Sequence, residues 1–147
     1  MAVPTWRLDS SRFPLLVATV DGGDGRTPPE LGSVTRILDQ LSYLRGPRVV
    51  VVDLTFAMPD AARRRLFIDW TKQHWASIRG ELLGVACIAP GTFQRSIITA
   101  ILWFIQPACP VEAFERRDQA LTWAQSVLEN NGLSVPSLRP PPPTANA

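Results

Sequence analysis

A chain of 147 residues, 46% of them hydrophobic, is long enough for one domain with its own core and needs no disulfide or metal to staple it. Its 15 Lys and Arg against 13 Asp and Glu leave a net charge of +2, which argues against nucleic acid, whose binders carry a basic stripe. The two cysteines, Cys87 and Cys109, have no partner at metal spacing and point to a reducing cytoplasm, and no run reaches the ~18 apolar residues of a membrane span.

Met1-Ala2-Val3-Pro4 has neither a charged n-region nor an apolar h-region, so a cytoplasmic protein that is not integral to a membrane is expected. Trp6 to Leu8 and Phe13 to Val20 are apolar runs separated by Asp9-Ser10-Ser11-Arg12, which predicts an N-terminal hairpin turning at those four residues. The glycines of Asp21-Gly22-Gly23-Asp24-Gly25 mark a loop. No Lys-Ser/Thr follows them, so a phosphate cradle is not indicated. Leu31, Val34, Ile37, Leu38, Leu41 and Leu44 then recur at helical spacing until Gly46-Pro47 stops the helix.

Arg48 to Leu54 holds four consecutive valines and ends on an acid. A β-branched run without polar alternation predicts a central strand covered on both faces. Asp60 is placed to cap a helix through about Ile78, with Phe67, Trp70, Trp75 and Ile78 on one face. Glu81 to Ala89 reads as a second buried strand, and Thr92 as the cap of a helix from Phe93 to Ile105 that is apolar nearly all round and therefore buried on more than one side. Val111 to Phe114 is a short last strand, Asp118 caps a last helix, and Asn131-Gly132 closes it. Residues 135–147, with Pro140 to Pro143, form a proline-rich tail expected to be disordered beyond a domain of residues 1–134.

Function in helix-flanked sheets gathers beyond the carboxyl ends of the strands, which singles out Asp53, Thr55, Phe56, Met58 and Asp60. Arg63 and Arg64 open a basic helix suited to an acidic partner or headgroup, and Ile101 and Trp103 are candidate outward positions on the apolar third helix. Catalytic chemistry finds little purchase. The single histidine, His74, has no orienting acid beside it, no hydroxyl sits in a Gly-x-Ser-x-Gly elbow, and Asp53 with Asp60 lacks the further acids and the lysine of a magnesium-bound phosphoacceptor. No catalytic residue, metal or cofactor is therefore expected.

The order of elements, with Val49-Val50-Val51-Val52-Asp53-Leu54-Thr55 entering a loop and then a helix, resembles the STAS superfamily in its SpoIIAA-like and Sec14-like bacterial branch. Pro110 to Glu115 followed by Asp118-Gln119-Ala120-Leu121-Thr122-Trp123-Ala124 looks like that group's last strand and helix, and the resemblance runs from Trp6 to Leu128. It implies a single α/β domain with an N-terminal β-hairpin and a mixed sheet of about five strands under four helices. In anti-sigma factor antagonists of this group a serine after the central strand is phosphorylated. Here the corresponding loop offers Asp60, Ala61 and Ala62, without a hydroxyl, so the phospho-switch does not carry over. What the resemblance implies is a non-catalytic interaction or regulatory module for a protein partner, and the apolar circumference of Phe93 to Ile105 makes a second copy of the chain one such partner. A Sec14-like protein for a lipid or other small apolar ligand is the alternative, its pocket lined by Ile98, Ile101, Leu102 and Ile105.

Overall fold

A computed structural model describes residues 3–24, 26–57, 60–105, 107 and 109–135, with only the backbone at 104 and 105. In chain order the elements are β1 (Thr5–Arg12), β2 (Leu15–Asp21), α1 (Leu31–Tyr43), β3 (Arg48–Asp53), α2 (Ala61–Ile78), β4 (Leu82–Ile88), α3 (Thr92–Ile105), β5 (Val111–Phe114) and α4 (Arg117–Asn130). The strands form one five-stranded sheet in sequence order. β1 runs antiparallel to β2, and β2, β3, β4 and β5 are parallel. Parallel neighbours need crossovers, and right-handed crossovers laid down in one direction place their helices on the same face. α1, α2 and α3 accordingly share one side of the sheet and α4 takes the other.

The valine run of β3 serves both layers. Val49 and Val51 join Leu15, Val17, Ala86 and Ile88 against Ala120, Ala124 and Leu128 of α4 in one continuous cluster. Val50 and Val52 point the opposite way, as the two-residue period of a strand requires. The α4 layer is tight because its contacts are small: Ala120 and Ala124 are fully buried, and Trp123 lies over Gly84, where a Cβ would stand 2.9 Å from the indole Cη2. α4 ends in a Schellman motif. Gly132 takes φ +74°, its N–H donates to the Glu129 carbonyl at 3.0 Å and the Leu133 N–H to the Leu128 carbonyl at 2.9 Å, which folds Leu133 back onto the cluster.

The expectation of a mixed five-stranded sheet with four helices is met, and four details differ. The hairpin turns at Phe13-Pro14 rather than at Asp9 to Arg12. The Asp9 carboxylate accepts from the Ser11 N–H and hydroxyl, so this polar stretch becomes an irregularity inside β1, where the register shifts, instead of a turn. Arg116 occupies the cap position of α4, with Gln119 returning a bond to its N–H, and Asp118 lies in the first turn. Val135, placed by sequence in the tail, packs against the α4-side cluster. α3 is not buried all round, since Phe93 and Trp103 are 72% and 81% exposed. The remaining tail, residues 136–147, lies outside the described residues.

The close seat of Trp123 on Gly84 generates a prediction. Gly84→Ala should destabilise the domain by about 1–3 kcal/mol through overpacking, and Trp123→Phe in the same chain should recover part of that loss. Denaturant unfolding of the four chains in this cycle measures it, and simple additivity would show that the two groups do not meet.

Candidate functional site

On the three-helix side the core does not close into one cluster. Val34, Ile37 and Leu38 of α1 pack over Ala18, Ile78 of α2 packs with Leu16, Val50 and Leu82, and Ile98 of α3 packs with Cys87 and Ala89. Between these three contacts lies an apolar cavity of about 260 Å³. Small residues form its floor, Ala18, Val50, Val52 and Cys87, while the large side chains Trp6, Trp70 and Trp75 prop its edges. Arg48, Val50 and Val52 all line it. At ~3.3 Å per strand residue this part of the floor is ~13 Å long, and from Ala18 of β2 to Val111 of β5 the floor is about as wide.

Polar groups mark its two ends. At the carboxyl ends of the strands stand Asp60, Arg63, Arg64 and Gln94, all half-buried. The Asp60 carboxylate caps α2 by accepting from the Arg63 N–H at 3.1 Å, and it pairs with the Arg63 guanidinium, also at 3.1 Å. These bonds hold its pKa below the ordinary 3.8, the backbone bond contributing most. Arg63 also donates through Nε to the Pro29 carbonyl at 2.6 Å, fixing α2 to the segment that leads into α1, and Gln94 Nε2 donates to the Leu54 carbonyl at 3.3 Å. Arg64 makes no hydrogen bond or ion pair with its side chain among the described residues.

The opposite end is closed by Arg48, only 2% exposed. Its Nη1 donates to the Gly46 carbonyl at 2.9 Å and to Glu81 Oε2 at 3.3 Å. Trp75 packs against the cluster of Leu16, Val50, Ile78 and Leu82, and its buried Nε1 has no hydrogen-bond partner among the described residues. Trp70 differs, since its Nε1 donates to Ser42 Oγ at 2.8 Å. His74 stacks on Trp70 with its Nδ1 3.0 Å from the Trp70 carbonyl, a local structural role. Burial pushes the Cys87 thiol up to about 12 and that of Cys109 up to about 11, which keeps both as inert thiols at neutral pH.

The residues singled out from sequence divide. Asp60, Arg63, Arg64 and Ile101 line the cavity, as do Ile98 and Leu102. Ile101 thus faces inward rather than outward. Asp53 falls on the other face of the sheet, in register with Ile88, where it accepts from the Thr55 N–H and hydroxyl and pairs with Arg117 Nη1 of α4 at 3.6 Å. Asp53 and Thr55 therefore shape the strand end instead of reaching the cavity. Phe56 is 48% exposed and Trp103 faces solvent. Met58 and the side chain of Ile105 lie outside the described residues.

Sequence reasoning passed over Arg48, Trp75 and Trp6. The signal for the first was a charge at the head of a strand that must be buried on both faces. Among the described residues no three His, Cys, Asp or Glu side chains gather as a metal site, and no helix is long and apolar enough to cross a membrane. Comparison with protein-family models, with curated proteins and with solved structures returns no match.

Asp60 supplies a test of how the carboxyl-end rim is held. Its folded pKa is depressed, so the stabilisation it provides is complete above the ordinary value of 3.8 and is lost as pH falls through the lower folded value. Asp60→Ala should lower the melting temperature at pH 7, and the gap from the parent chain should close in acid. A gap that stays constant from pH 7 down to the acid limit of folding would show that the carboxylate's charge and bonds contribute nothing.

Proposed function

We propose that this chain is a non-catalytic binding protein of STAS-like architecture that holds a small apolar ligand between its sheet and its three-helix layer. The cavity carries this reading. It offers about 260 Å³ lined almost entirely by apolar side chains, the form of a small-molecule site. Water is a poor filling for it, because a stable internal water needs two to four polar partners and the middle of this cavity offers aliphatic and aromatic carbon. An apolar cavity of ~150 Å³ already accepts benzene, so this one has room for a longer molecule. Its apolar floor suits an aliphatic molecule, entering past the half-buried rim at Asp60, Arg63, Arg64 and Gln94.

Decan-1-ol, present at ~100 times its dissociation constant, should stabilise the protein by about 2.7 kcal/mol and raise its melting temperature by on the order of 5–10 °C. Val52→Trp, which fills the cavity from its floor, should fold and lose that response. No shift with either decan-1-ol or decanoate, in a protein folded by circular dichroism, would sink the reading.

A protein partner is the second reading, and a separate surface supports it. Phe93 and Trp103 stand 72% and 81% exposed on the outer side of α3, away from the cavity. If this surface seats a second copy of the chain, light scattering should give a dimer that Trp103→Ser converts to a folded monomer. A parent chain that is monomeric at high micromolar concentration would refute self-association through α3.

A further inference from the structure

We infer that the ligand is an aliphatic carboxylate, and that Arg48 and Trp75 receive its carboxylate at the closed end of the cavity. This rests on the cavity being the ligand site and adds the chemical class of what occupies it.

An arginine has five N–H donors, and the Arg48 side chain uses only Nη1, on the Gly46 carbonyl and on Glu81. Nε and Nη2 have no hydrogen-bond partner among the described residues, although the residue is 98% buried by its 2% exposure and lines the cavity. The Nε–Nη2 edge is a fork whose two parallel N–H groups match the two oxygens of a carboxylate. The second donor comes from α2. Trp75 also lines the cavity, and its Nε1 is buried without a partner. It packs against the cluster that holds Val50 and Leu82, the first two residues along from Arg48 on the same strand face, the second its cross-strand partner. Buried donors in folded proteins are nearly always satisfied, so the unpartnered Trp75 Nε1, on a cavity that Arg48 also lines with its unused edge, marks the seat of an acceptor that arrives with the ligand.

Charge selects a monoanion. Glu81 already sits on Arg48 and opposes a second negative charge, so a phosphate dianion would need another cation. The other arginines lining the cavity, Arg63 and Arg64, belong to the opposite end. With the polar end seated at Arg48, the apolar rest of the molecule lies over Val50 and Val52 toward the rim.

Calorimetric titration at pH 8 of decanoate against decan-1-ol tests this, because the two share a chain and differ at the polar end. The parent protein should bind decanoate at least tenfold more tightly, an advantage of about 1.4 kcal/mol or more, in line with hydrogen bonds to a charged group. Arg48→Met should abolish the preference and keep decan-1-ol binding. Trp75→Phe, which removes one N–H and leaves the charge, should weaken decanoate several-fold and leave decan-1-ol unchanged, and it decides the matter if Arg48→Met does not fold. Binding of decan-1-ol with no preference for decanoate would overturn the carboxylate assignment while leaving the cavity reading intact, as would a preference that survives both substitutions. Failure of both compounds to bind would overturn the two together.

Discussion

The one-directional order of the parallel strands is the constraint from which the rest follows. Because β2 to β5 are added in sequence order, right-handed connections bring three helices to one face of the sheet, and only the chain's last helix is free to cover the other. The two faces then meet different packing problems. α4 lies alone over β3, β4 and β5 and can settle as closely as its alanines and Gly84 permit. Beyond its reach the sheet surface turns polar, with Arg7, Asp9, Thr19 and Asp21 on β1 and β2.

Three helices on one face cannot all settle so closely. α1 and α3 sit at the two sides, over Ala18 and over Cys87 with Ala89, and α2 bridges between them, meeting the sheet cluster through Trp70, Trp75 and Ile78 near its C-terminal end. Arg63 ties the other end of α2 to Pro29, and the capping bond of Asp60 fixes where that helix begins. Held at both ends and propped by indoles, α2 roofs a space that the small floor residues do not fill. A compact α4 layer and an open three-helix layer divide the work, the first holding the fold and the second leaving room for a guest.

The legible part of this arrangement was the part governed by local chemistry. The valine run, the helical spacing of Val34, Ile37 and Leu38, the Asp60 cap and the Asn131-Gly132 stop each follow from side-chain shape or backbone freedom over a few residues. The direction of Asp53 was legible too, since a strand alternates and Asp53 must share a face with Val49 and Val51 rather than with Val50 and Val52. What could not be read was the spacing between layers. An apolar circumference on α3 signals that more than a sheet face contacts it, but the same pattern describes a helix between two layers and one that lines a cavity on one side and exposes Phe93 and Trp103 on the other. The hairpin turn was misplaced because Asp9 and Ser11 satisfy one another inside a strand as readily as in a turn.

Arg48 is the residue that fold stability explains least. Taking a guanidinium out of water costs several kcal/mol, and its ion pair with Glu81, a carboxylate still one-third exposed, returns only part of that. Burying a guanidinium to 2% exposure, with side-chain hydrogen bonds only from Nη1 among the described residues, is costlier than placing a methionine of similar length at the head of β3. The parallel register adds to the oddity, because it sets Arg48 opposite Leu82 and in line with Val50, both apolar. A charge kept in such surroundings is intelligible when something else completes its shell. If the cavity seats the proposed carboxylate, that ligand supplies both the acceptors and the negative charge that complete it.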